Sequence, residues 1–221
     1  MKYNIAIDGP AGAGKSTIAK KVAEKLGFVY IDTGAMYRAM AFYYMNKGIS
    51  VENKEAVIAE FDNIDISLKH VEGIQHIFLN GEDVSGLIRT PEVGENASKV
   101  SAIAEVRAKL VALQQAIAKT INVVMDGRDI GSVVLPDAEL KIYLTASVKV
   151  RALRRYKERI EKGEEADLAE IEKEIEERDY RDMHRDASPL ICVPDAVVVD
   201  TSDLNIDEVM DKIISLVDIK N

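Results

Sequence analysis

Five short apolar runs punctuate the chain: residues 3–8 (YNIAID), 28–32 (FVYID), 121–126 (INVVMD), 140–146 (LKIYLTA) and 196–200 (AVVVD). They are nearly continuous rather than alternating, the pattern of parallel strands covered on both faces. Between the first two, residues 15–27 place Ile18, Val22 and Leu26 at i, i+4 and i+8, with Gly27 as a stop. That spacing predicts a helix. Strand, helix and strand in this order predict a doubly wound α/β sheet, whose ligands gather at strand ends. Four of the five runs end in or next to an acidic or hydroxyl residue.

Two connections are too long for simple crossovers. Residues 33–120 contain a strand-like stretch, IQHIFLNGEDV, with Asn80-Gly81 as a turn. A two- or three-stranded piece needs a surface to lean on, so an inserted subdomain is expected. Residues 151–177 are charged and predict helix throughout, interrupted at Gly163. Such a segment is either a mobile cover over a site or a solvated helical hairpin.

Composition narrows the class. The chain has 221 residues, 47% hydrophobic and 30% charged, enough for one sizeable domain with insertions or two small ones. A net charge of −9 argues against a nucleic-acid-binding surface or a polybasic membrane anchor, and makes local basic clusters informative. No stretch approaches the roughly 20 apolar residues of a membrane span. The start, MKYNIAID, reaches an acidic residue too early for a signal peptide. One cysteine, Cys192, excludes an internal disulfide, and its LICV surroundings predict a small buried hydrophobe. A cytoplasmic protein without nucleic-acid or membrane partners is expected, and nothing demands more than a monomer. His70, His76 and His184 form no metal-ligand spacing.

The chemistry begins at residues 9–17, GPAGAGKST, which follow a predicted strand and open a predicted helix. Gly9, Pro10, Ala11, Gly12, Ala13 and Gly14 form a loop whose small side chains let backbone N–H groups face phosphate oxygens. The helix N-terminus adds its own donors. Lys15 is placed to reach the β- and γ-phosphates, Ser16 to ligate Mg²⁺, and Thr17 to complete the motif. This is a nucleoside-triphosphate site. The N-K-x-D signature of guanine switches is missing, because Asn46-Lys47 runs into Gly48-Ile49. Asp126 ends the third strand and suits Mg²⁺ through water, but no glutamate follows it to activate a hydrolytic water. Transfer to an acceptor is therefore favoured over hydrolysis.

An alcohol acceptor needs a carboxylate base, whereas a nucleoside monophosphate needs positive charge and orientation. Arginines stand at the relevant places: Arg38 after the second strand, Arg128 after the third, and the run ERDYRDMHRD (177–186) before the fifth. On a helix, Arg178, Asp182 and Arg185 share one stripe, with Arg181 beside them. A solvated helix face would show the same spacing. The other stripe, Asp179, Met183 and Asp186, reads as supporting surface. The loop motif alone leaves open a kinase for another nucleotide or a metabolite alcohol, and also a nucleotide-dependent interaction switch.

Longer segments narrow this. IAIDGPAGAGKSTIAKKVAEKLGFVYIDTGAMYR, LNGEDVSGLIRTPEV, VVMDGRDIGSVVLPDAELKIYLTAS and ERDYRDMHRDASPL resemble the bacterial cytidylate kinases, in that family's order and across nearly the full length. The resemblance implies one P-loop kinase domain over 1–221, with a five-stranded parallel core flanked by helices. It further implies a nucleotide-monophosphate-binding insertion at 59–96 and a mobile helical lid at 151–177. The implied reaction moves the ATP γ-phosphoryl group to CMP or dCMP with Mg²⁺. By the same resemblance Arg38, Arg128 and Arg185 would hold the acceptor phosphate, and Arg178 and Asp182 the ribose side. Ser98, Arg107 and Asp129 would read the base, with Ser101 the other serine near Arg107. Thr33 and Tyr37 would complete the CMP site, and Arg151 and Arg155 would cover the donor nucleotide. Lys15, Arg128, Arg155 and Arg185 would be the catalytic cations. The family's PEVS reads PEVG here, at Gly94, and the FP before the Arg107 helix reads Ile103-Ala104.

Overall fold

A computed structural model describes residues 2–71 and 74–218 of the protein. In chain order its elements begin β1 (Asn4–Asp8), α1 (Lys15–Leu26), β2 (Val29–Asp32), α2 (Thr33–Asn46), α3 (Lys54–Ala59) and a 3₁₀ turn at Phe61–Asn63. Then follow β3 (Ile66–Val71), β4 (Ile74–Leu79), β5 (Glu82–Asp83), α4 (Pro91–Val100) and α5 (Ala104–Ala118). The chain closes with β6 (Val123–Gly127), a π-helical turn at Ile130–Val134, β7 (Leu140–Thr145), α6 (Val148–Glu161), α7 (Leu168–His184), β8 (Val197–Asp200) and α8 (Ile206–Ser215). These pack as two units, Met1–Tyr30 with Ala118–Asn221, and Ile31–Ile117.

The five apolar runs are the five strands of one sheet, ordered β2-β6-β1-β7-β8. Central β1 pairs in parallel with β6 and β7, and β7 with β8. The register sets Ile7 opposite Asp126, and Asp8 opposite Gly127 and Tyr143, so the chemistry-bearing residues line one end of the sheet. The core joins Ile5, Ile7, Val124, Ile142, Leu144 and Val199 to Ile18 and Val22 of α1, and to Val209 and Ile213 of α8. Burying such side chains supplies the main favourable term, on the order of 1.5–3 kcal/mol each. Gly27 ends α1 in the left-handed region, as the pattern predicted.

The helical stretch read at 151–177 is two helices. It breaks at 162–167, where Gly163 takes φ 75° and Asp167 caps α7 by accepting the Glu170 N–H. Ala152, Ile171 and Ile175 form a dry seam between α6 and α7, edged by Val148, Tyr156 and Ala166. The hairpin is thus neither wholly solvated nor a bare cover. Moreover, α7 continues past Glu177 to His184, so the ERDYRDMHRD run and the charged hairpin are one element. Cys192 corrects a further expectation: Leu190 is buried, but Ile191 and Cys192 are exposed in a loop that joins no strand.

In Ile31–Ile117, β3, β4 and β5 form an antiparallel sheet. Asn80 and Gly81 take φ 51° and 85°, the paired positive angles of a tight two-residue hairpin. A three-stranded sheet cannot bury its apolar face alone. Ile66, Ile77 and Leu79 pack with Met36, Met40 and Tyr44 of α2, Val93, Ala97 and Val100 of α4, and Val106 and Leu110 of α5. The compact unit is therefore wider than the 59–96 segment that contains the sheet.

Candidate active site

The phosphate loop connects β1 to α1 and is shaped by close packing. A Cβ at Gly9 would lie 1.9 Å from the Leu144 carbonyl oxygen, so only glycine lets the loop leave β1 against β7. No side chain caps α1 and no acidic residue occupies its first turn. Its orphan N–H donors and positive dipole end are left for an anion. Lys15 is buried and donates to the Pro10 carbonyl at 2.7 Å. Burial pushes its pKa well down, and the nearby Arg128 charge adds to that.

Next to the loop, Asp126 accepts from Ser16 Oγ and from the Tyr30 hydroxyl, both at 2.8 Å. A hydroxyl beside a carboxylate is a hard oxygen donor set. Mg²⁺ takes one or two such protein groups and fills its shell with phosphate oxygens and water. Ser16 and Asp126 therefore fit Mg²⁺. No cluster of three or more His, Cys, Asp or Glu suited to a metal occurs among the described residues.

Asp8 was not singled out from the sequence. Its carboxylate accepts from the Ile130 N–H at 2.8 Å and the Gly131 N–H at 2.7 Å, fixing the turn that follows Arg128 and Asp129. Burial raises its pKa to about 6 against those two bonds, with Asp129's charge adding to the rise. Folding thus makes Asp8 easier to protonate than it is in the unfolded chain. Asp8's contribution to stability is full below its unfolded value near 4 and is lost as pH rises through about 6. The loss is about 3 kcal/mol. Wild type is expected to lose that amount relative to Asp8→Asn between pH 4 and pH 7 in urea unfolding, and ¹³C carboxyl titration of Asp8 should turn over near 6.

Cations gather around α7. Arg128 Nε donates to Asp182 at 2.7 Å. Burial opposes the Arg128 charge, but Asp182 outweighs it and the guanidinium pKa rises. Burial would likewise raise Asp182, yet Arg128 and its neighbours bring it below the usual carboxylate range. Arg178 Nε is buried without a hydrogen-bond partner among the described residues. Burial, followed by the repulsion of Arg128, lowers Arg178 to about 10.

Arg185 does not extend the helical stripe. The helix ends at His184, and Arg185 is extended at φ −67°, ψ 145°. Its Nε and Nη2 donate to the Ser188 carbonyl at 2.8 and 2.6 Å, and its guanidinium lies 3.8 Å from Asp129 and 4.0 Å from Asp182. The chain turn at the end of the helix sets Arg185 against Asp129, while its i,i+3 spacing keeps it near Asp182. Lys15, Arg128 and Arg178 thus repel one another at close quarters, the electrostatic signature of a place prepared for a polyanion.

Asp179, read as supporting surface, is buried instead. Its Oδ1 accepts the Ala11 N–H at 3.3 Å and its Oδ2 lies 2.6 Å from Arg151. A signal was present, since Ile171, Ile175 and Asp179 stand at i, i+4 and i+8, and all are buried. Arg151 is spent on protein: it donates to Ala146 O at 2.9 Å and Ala11 O at 2.8 Å. Arg155, one turn on and half-buried, adds to the repulsion felt by Arg178.

Within Ile31–Ile117, Asp32 caps α2 by accepting the Ala35 N–H and holds Arg38 Nη2 at 2.9 Å. Thr33 is buried at the start of the same helix. Arg107 is buried, donates to Ser101 O at 3.0 Å and lies over the Tyr37 ring at 5.4 Å. Ser101 Oγ donates to the Ser98 carbonyl, while Ser98 is only partly buried.

The family model for cytidylate kinase matches residues 5–219. The chain is 52% identical to a cytidylate kinase of Ligilactobacillus salivarius (strain UCC118) over 220 residues, spanning 100% of this chain and 98% of that protein. It is 54% identical to one from Streptococcus pneumoniae (strain Hungary19A-6) over 210 residues, 95% and 94% of the two chains. The crystal structure of a gluconokinase from Sinorhizobium meliloti 1021 shares the fold, with a TM-score of 0.51 at 14% identity and coverage of 97% and 90%. A phosphate loop, a carboxylate–hydroxyl pair beside it and a half-buried arginine cluster thus coincide with near-complete sequence coverage, and the chain belongs to the cytidylate kinase family.

Proposed function

We propose that the protein transfers the γ-phosphoryl group of ATP to CMP or dCMP, yielding ADP and CDP or dCDP. The observation that carries this reading is the mutually repelling cation set of buried Lys15 and half-buried Arg128 and Arg178 beside the phosphate loop. The acceptor phosphate is already an oxyanion near neutral pH and needs no general base. Neither neighbouring carboxylate is well suited to be one. Asp126 is bonded to Ser16 and Tyr30, and Asp182 is ion-paired to Arg128.

In the proposed step a phosphate oxygen of CMP attacks the γ-phosphorus in line. The bond from that phosphorus to the β–γ bridging oxygen breaks toward ADP, and no proton has to move. Lys15 and the α1 N-terminus would bind the β- and γ-phosphates, and Arg128, Arg155 and Arg185 would offset the charge spread over the moving group. Mg²⁺ bound with ATP would supply further neutralisation, held by Ser16 and, through water, by Asp126. Arg38 would take acceptor-phosphate oxygens, and Arg178 and Asp182 the ribose side. Asp129 would accept from the cytosine amino group while Arg107 and Ser98 donate to the ring acceptors, with Thr33 and Tyr37 completing the site.

Uracil would set a carbonyl against Asp129, an acceptor–acceptor meeting that costs about 1–3 kcal/mol. In an ADP-release assay over CMP, dCMP, UMP, AMP and shikimate, CMP and dCMP should exceed UMP by about ten- to a hundredfold. Equal turnover of UMP would remove the base-reading role of Asp129. Arg185→Ala should lower kcat by about 10²–10³ with folding intact; unchanged activity would remove its phosphate role.

A further inference from the structure

We propose that Asp179 and Arg151 form a buried strut that locks the Ala11 peptide groups of the phosphate loop, so that Asp179 is a positioning residue for ATP. The inference rests on the kinase reading above and extends it to two side chains bonded to each other and to the loop backbone. Three bonds close a ring. Asp179 Oδ1 accepts the Ala11 N–H, Arg151 Nη1 donates to the Ala11 carbonyl, and Arg151 Nη2 meets Asp179 Oδ2 at 2.6 Å. Both polar groups of one loop residue are thereby satisfied by one ion pair. A third Arg151 bond, Nε to Ala146 O at 2.9 Å, anchors the pair to the chain between β7 and α6.

Burial makes this ring more than a surface ion pair. The side chains of Arg151 and Asp179 are 4% and 12% exposed, so neither charge is compensated by water. Gly12 lies directly above: a Cβ placed there would stand 3.5 Å from the Arg151 Cβ. The loop therefore rests on Arg151. A loop rich in glycine loses more conformational entropy on ordering than any other, and a rigid support supplied in advance lowers the cost of binding phosphate. The Ala11 N–H is committed to Asp179, so phosphate donors come from later loop residues and the start of α1.

The position on α7 adds a coupling. Asp179 follows Arg178 and precedes Asp182 by less than one turn, so one helix carries both the loop support and residues proposed for the acceptor. Donor loop and acceptor residues are held to a common rigid element.

The test separates the two ligands. Calorimetric dissociation constants for ATP alone and CMP alone are compared for wild type, Asp179→Asn, and the double variant Asp179→Asn/Arg151→Met. The double variant removes both charges, leaves no unpaired ion in the interior and is expected to fold. Both variants should bind ATP at least about tenfold more weakly while CMP affinity changes less than about twofold. Equal weakening of both ligands, or unchanged ATP affinity with only a lower thermal midpoint, would overturn the proposal and leave the pair a purely structural one. If wild type binds ATP but neither binds nor phosphorylates CMP, the functional reading fails while the ATP arm still decides the strut.

Discussion

Lys15→Met is expected to lower kcat by about a thousandfold and yet leave the protein as stable as wild type, or more so by up to about 2 kcal/mol. The two effects have one cause. The Lys15 ammonium is buried, burial pushes its pKa down, and the Arg128 and Arg178 charges push it further. Its hydrogen-bond partner is the neutral Pro10 carbonyl at 2.7 Å. One neutral acceptor and a partial offset from the Asp126 and Asp182 charges do not repay desolvation of a cation beside Arg128 and Arg178, so an apolar side chain of similar length relieves strain in the free protein. In the transition state the same ammonium faces charge spread over the transferred phosphoryl group, where methionine offers nothing. An ADP-release assay and a thermal melt on one preparation check both halves. A melting point several degrees below wild type would show that the ammonium supports the loop through Pro10, and unchanged turnover would remove it from the chemistry.

The second large effect is destabilising. Asp182→Ala should cost about 3–5 kcal/mol, because it removes a buried carboxylate and strips the largely covered Arg128 guanidinium of its partner. The Arg128–Asp182 contact is 2.7 Å, with the side chains 18% and 8% exposed. Arg178 and Arg185 also draw on the Asp182 charge, so three arginines would be left closer to mutual repulsion. The folded pKa of Asp182 lies below its unfolded value near 3.8. Its stabilisation is therefore present above about pH 4 and fades as pH falls through the folded pKa. Denaturant unfolding at pH 7 should show the full gap between variant and wild type, and unfolding near pH 3 a smaller one. A gap independent of pH would mean that packing, rather than charge, carries the loss.

What the sequence announced, and what it withheld, follows from how each feature is encoded. The five strands are legible because parallel strands buried on both faces must be apolar throughout, and 3–8 or 196–200 admit little else. The phosphate loop is legible because its backbone geometry demands glycine at set intervals. Asn80-Gly81 is legible because few residue pairs tolerate two positive φ angles. Asp179 was hidden because an acidic residue within a charged run has the same letter whether it meets water or Arg151. Only its phase with Ile171 and Ile175 distinguishes it. Arg185 was placed on a helical stripe because spacing cannot say where a helix stops, and neither glycine nor proline marks the end at His184. Cys192 looked buried because four apolar letters in a row suggest a strand. The LICV run has no neighbouring strand to pair with and leaves its cysteine in solvent.

The crowding at Gly9 has a genetic reading. A Cβ there would overlap the Leu144 carbonyl, which is backbone of β7 and cannot rotate aside. Every single-nucleotide change in a glycine codon that yields another amino acid adds a Cβ. Position 9 therefore has no neutral first step away from glycine. A lineage that varied this loop would first have to move a strand of the central sheet.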